Sequence, residues 1–91
     1  MRADTRTISI EAPVDRVVAF LADPRNLPRW AAPGIEVLAA SRVVPRGTAS
    51  EYVFTQFQAP GIPDDVFVKN VRALTHELTV LRALMEVECP L

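Results

Sequence analysis

The sequence predicts an α+β fold with its elements in the order β-α-α-β-β-α, and three features carry that expectation. A short alternating run rich in β-branched residues opens the chain. Two extended apolar runs flank a Pro/Gly break near its middle, and a long stripe at helical spacing closes it.

Thr5 to Ile10 (TRTISI) sets Arg6, Ile8 and Ile10 against Thr7 and Ser9, the alternation of a strand with one buried face. Pro13 suits a first helical turn and Asp15 suits the dipole there. Val17, Phe20 and Leu21 then give residues 13–22 an apolar helical face, which Asp23-Pro24 ends. Pro24 to Trp30 (PRNLPRW), with two prolines, has room for one short second helix, Leu27 and Trp30 pointing the same way. A turn follows over 31–34. Residues 35–44 and 50–58 are extended runs around Pro45-Arg46-Gly47, which predicts an antiparallel hairpin. Pro60-Gly61 closes its second strand.

The last element is the most strongly patterned. Pro63-Asp64-Asp65 starts it, and Phe67, Val71, Leu74, Leu78, Leu81 and Met85 follow at spacings of 4, 3, 4, 3 and 4. Val66, Ala73, Val80, Leu84 and Val87 widen that stripe to roughly 160° of the wheel. Lys69, Arg72, His76, Arg82 and Glu86 take the other side, so 63–87 reads as one amphipathic helix.

At 91 residues the chain is one small domain, a size that buries only about 60–65% of its unfolded surface. Ten basic residues against eleven acidic ones leave a formal charge of −1, which argues against nucleic acid as a partner. The single cysteine forms no internal disulfide, the opening residues lack a secretory signal, and no stretch approaches the roughly 20 apolar residues of a membrane span. These features lead us to expect a soluble, cytoplasmic domain.

Two segments resemble the START-like, Bet v 1-like superfamily (SRPBCC), in particular its polyketide cyclase/dehydrase-like members. Residues 7–33, TISIEAPVDRVVAFLADPRNLPRWAAP, are similar to that family's opening strand and helices. Residues 42–86 resemble its closing segment, RVVPRGTASEYVFTQFQAPGIPDDVF its last hairpin and Pro-Gly turn and the rest its final helix. The resemblance implies a reduced helix-grip fold: a three-stranded antiparallel sheet, ordered 5–10, 50–58, 35–44, packed on the C-terminal helix. The four central strands of the family's seven-stranded sheet have no counterpart here.

A sheet so shortened has two open edges, and the one at 35–44 is long and apolar, the kind that pairs with another chain. The helix, at about 37 Å for residues 63–87, exceeds the diameter of roughly 32 Å of a compact domain this size. Both features predict a homodimer, through a sheet edge, the long helices, or both.

Tyr52, Phe54 and Gln56 share one strand face and Val53, Thr55 and Phe57 the other. The resemblance turns the first set toward the helix, near Phe20, Trp30 and Leu74. Two readings stand: ordinary core packing, or an apolar ligand wall with Tyr52 and Gln56 as polar anchors. Asn70 and Glu77, seven apart within the apolar stripe, are either a stripe edge reaching water or a polar pair facing a cavity or partner, with Arg42 or Tyr52 as donor. His76 reads as a solvated surface histidine and Cys89 as an inert thiol. No nucleophile motif, glycine-rich phosphate loop or metal spacing is present, and nothing calls for a cofactor or a metal.

The leading expectation is therefore a module that binds a small hydrophobic or amphipathic molecule between sheet and C-terminal helix, the site completed by dimerisation. A ligand-free assembly protein using the apolar helix and sheet edge is the alternative. A polyketide cyclase/dehydrase-like enzyme is implied by the resemblance alone.

Overall fold

Strand β1 (Ala3–Ile10), helix α1 (Val14–Ala22), a short 3-10 helix (Pro24–Arg29), strands β2 (Leu38–Arg46) and β3 (Ala49–Phe57) and helix α2 (Asp64–Glu88) follow one another in a computed structural model that describes residues 1–31 and 38–89. The predicted order is the observed one. Residues 32–34 of the expected turn, residues 35–37 of the expected second strand, and the final two residues lie outside the described residues.

The three strands form one antiparallel sheet in the order β1-β3-β2. Its register sets Ile8 opposite Tyr52 and Ile10 opposite Ser50 on one side of β3, and Val43 opposite Tyr52 on the other. Strand alternation then gives the sheet a single buried face: Ile8, Ile10, Tyr52 and Phe54 join Val17 and Phe20 of α1 and Leu74, Leu78, Leu81 and Met85 of α2 in one apolar core. The outer face, with Thr5, Thr7 and Ser9, is largely solvated and carries Thr5–Thr55 and Ser9–Glu51 hydrogen bonds.

Boundaries shift by one or two residues, for local reasons. Pro13 and Pro63 stand one position ahead of their helices with extended ψ values of 146° and 153°. Strand β2 runs on through Pro45 to Arg46, because an edge strand loses little by a missing N–H. The hairpin loop is thus only Gly47-Thr48, with φ at +59° for Gly47 and no positive φ at Thr48, which fits a type II′ turn. Between β3 and α2, Ile62 N–H donates to the Ala59 carbonyl (3.1 Å) across Pro60 and Gly61. With φ of +88° at Gly61, that is a type II turn with its preferred Pro-Gly pair.

All six seam residues of α2 are buried, from Phe67 to Met85. Its widened flank is not: Val66 and Val87 are exposed, Ala73, Val80 and Leu84 only partly covered. The chain therefore covers the seam by itself. At about 37 Å, α2 fits only along the longest of the molecular extents, 41 × 24 × 18 Å.

The start of the short 3-10 helix yields a pH prediction. The Asp23 carboxylate accepts from the guanidinium of Arg25 (Nη2, 2.7 Å) and from its backbone N–H (3.0 Å). The Arg25 side chain first, and its backbone N–H second, hold the carboxyl at about 2 instead of its ordinary 3.8. A lowered pKa in the fold means that this cap is intact above pH 3.8 and lost as the pH falls through about 2. NMR titration of the Asp23 carboxyl is expected to show that midpoint, returning toward the ordinary value in Arg25→Ala.

Candidate functional site

The residues that connect β3 to α2 build a cleft at one end of the sheet. Gln58 fixes their course. Its backbone N–H donates to the Arg2 carbonyl (2.8 Å), and its Nε2 donates both to the Ile62 carbonyl (2.8 Å) and to Asp64 Oδ1 (2.7 Å). The type II turn then brings Ala59 and Ile62 beside the first turns of α2, while the register sets Leu38 opposite Phe57. The resulting cleft, about 350 Å³ and open to solvent, is lined among the described residues by Leu38, Gln56, Phe57, Ala59, Ile62, Phe67 and Asn70. That volume lies at the small end of ligand sites, which run to roughly 300–1,000 Å³.

Phe67 stands between this cleft and a more polar groove along β1. The Arg2 guanidinium lies over its ring at 5.0 Å, and Arg6, paired with Asp4 (2.8 Å), lies with Arg72 in the same groove. Of the described lining residues, five are apolar and two carry amides. Gln56, only 2% exposed, has a buried Oε1 with no hydrogen-bond partner among the described residues. An acceptor taken out of water and left unpaired costs about 1–3 kcal/mol, so buried polar atoms are rarely left this way.

The expected site residues divide. Gln56 and Asn70 come together in the cleft. Phe20, Tyr52, Phe54 and Leu74 are buried in the core, and Trp30 packs against it. The rings of Tyr52 and Phe54 meet edge to face, with centroids 6.2 Å apart. Burial pushes the Tyr52 hydroxyl above its usual pKa and a hydrogen bond with Ser41 pulls it partly back, so it stays a neutral phenol at physiological pH. Glu77 is half-buried, two helical turns beyond Asn70 on α2. Leu38, Phe57, Ala59, Ile62 and Phe67 join the cleft without having been singled out as ligand contacts. For Ala59 and Ile62 the Pro60-Gly61 turn was the local signal.

His76 is exposed and Cys89 half-buried. Among the described residues no group of three His, Cys, Asp or Glu side chains is placed to hold a metal ion. No described helix is long and apolar enough to cross a membrane. No family model matches the chain, and no curated protein matches it. Geometry and chemistry carry the reading of the site.

Proposed function

We propose that this chain is a START-like binding module for a small apolar or amphipathic molecule, held in the cleft between the end of the sheet and α2. One observation supports it above the others: among the described residues, a largely apolar cleft has in its lining the side chain of Gln56, a buried amide whose Oε1 has no hydrogen-bond partner. A ligand that filled the cleft would cover exposed Leu38 and Ile62.

The proposal includes a second copy of the chain. β1 and β2 are both edges, but β1 carries Asp4 and Arg6 side by side, a charged pattern that discourages pairing. From Leu38 to Val44, β2 carries Arg42 as its one charge, and its residues through Arg42 are exposed. Pairing two β2 strands would extend the sheet beside Leu38 and narrow the cleft's open side.

Thermal melting against a panel of lipids and aromatic polyketides tests the binding. A ligand at 100 times its dissociation constant is expected to add about 2.7 kcal/mol. That raises the midpoint by roughly 10–20 °C in a domain of this size. Sedimentation at micromolar concentration is expected to give a dimer. A dimer whose melting no compound shifts would make the chain an assembly protein instead.

A further inference from the structure

Resting on the dimer reading above, we infer that two chains pair antiparallel along β2 about a two-fold axis at Ser41, which sets Val44 of the partner subunit beside Leu38 at the rim of the cleft. The direction in which the backbone groups point carries this register. Gln58 N–H donates to the Arg2 carbonyl, on the β1 side of β3 (2.8 Å). Strand alternation then turns the even-numbered residues of β3 toward β1 and the odd-numbered ones toward β2. The odd-numbered residues stand opposite Leu38, Ala40, Arg42, Val44 and Arg46, whose N–H and C=O groups face β3. Those of Ala39, Ser41 and Val43 therefore point out of the sheet's edge, where β2 has no further neighbour among the described residues. Pro45 shares their parity, so its missing N–H costs the hairpin no hydrogen bond.

A second copy fits this edge in one register. With the axis at Ser41, Ala39 meets Val43 of the partner subunit and Ser41 meets its own copy. Each such pair exchanges both of its hydrogen bonds, so every outward group is used. Moving the axis to Arg42 sets Ala39 against the partner's Pro45, which has no donor, and puts the two Arg42 side chains directly opposite each other, a repulsive pair. Moving it to Ala40 carries Val43 past the partner's Leu38, where β2 begins. Side chains favour the same axis. Leu38 stands opposite the partner's Val44, apolar against apolar, and small Ala40 stands opposite the partner's Arg42. The two guanidinium groups then lie on a diagonal and can splay apart. Exposed Leu38 gains an apolar neighbour, and the cleft's rim gains a residue from the second chain.

Cross-linking and amide exchange test the axis on the full chain. Across it, residues 38 and 44 form a non-hydrogen-bonded pair with Cα atoms about 4.5 Å apart, within the span of a disulfide. In a Cys89→Ser background, Leu38→Cys/Val44→Cys is expected to oxidise to a covalent dimer, and Arg42→Cys, which reports the axis at Arg42, to remain without a cross-link. The wild-type chain gives a readout that needs no variant. Between dilute and dimeric samples, exchange at the amides of Ala39, Ser41 and Val43 is expected to slow by at least about tenfold. The amides of Ala40, Arg42 and Val44, already bonded to β3, are expected to change far less. A dimer that cross-links through Arg42→Cys instead, or in which the three outward amides exchange as fast as in the monomer, would overturn the Ser41 axis and leave the cleft reading standing. A chain that stays monomeric at millimolar concentration would overturn the pairing itself, while the thermal panel decides separately whether the cleft binds a ligand.

Discussion

Leu81→Ala is expected to cost about 3–5 kcal/mol, the upper range for a leucine truncation in a core. The whole domain is held by only about 5–14 kcal/mol, at 0.05–0.15 kcal/mol per residue. Leu81 is 0% exposed, at the middle of the cluster that joins both helices to the sheet. Its neighbours come from separate elements, so they cannot collapse into the vacancy without moving a helix. The melting midpoint is expected to fall by roughly 12 °C or more. Val87→Ala is the control on the same helix: at 81% exposure it should change stability by no more than about 0.5 kcal/mol. Equal losses at the two positions would mean that the flank of α2 is covered in solution by something other than its own sheet.

That contrast marks where sequence patterning stops being informative. Spacing of 3 and 4 picked out all six seam residues, because a period near 3.6 is imposed by the helix itself. Alternation likewise sorted Ile8 and Ile10 from Thr7 and Ser9, and Tyr52, Phe54 and Gln56 from Val53, Thr55 and Phe57. Stripe width was less informative. Val87 lies within the same wide arc as Leu84, yet a three-stranded sheet is too narrow to cover that whole arc. The cleft was less legible still. It depends on the register that puts Leu38 beside Phe57, and on Gln58 reaching both Ile62 and Asp64, neither of which has a periodicity to read. Gln56 and Asn70 emerged from the pattern as polar residues in apolar stripes. Their meeting in one cleft is a tertiary fact.

Phe20→Ala asks whether an aromatic residue expected on a ligand wall holds the fold together instead. Phe20 and Val17 are the only buried residues of α1, a nine-residue helix too short to persist alone. The ring enters the core, and the Arg29 guanidinium lies 5.4 Å from its centre on the approach from solvent. Arg29 in turn pairs with Glu88 at the far end of α2, and Asn26 Nδ2 donates to the Phe20 carbonyl at 3.1 Å, so α1, the 3-10 helix and the end of α2 converge on this residue. Truncating the ring is expected to cost about 3–5 kcal/mol in the ligand-free protein. Hydrogen exchange should rise first at the amides of residues 14–22. Arg29→Ala, which leaves the ring in place and removes partly exposed charge contacts, should cost less than about 1 kcal/mol. If Phe20→Ala melted like the wild type and lost only ligand affinity, the ring would belong to a binding wall. α1 would then be a lid over a second, internal site.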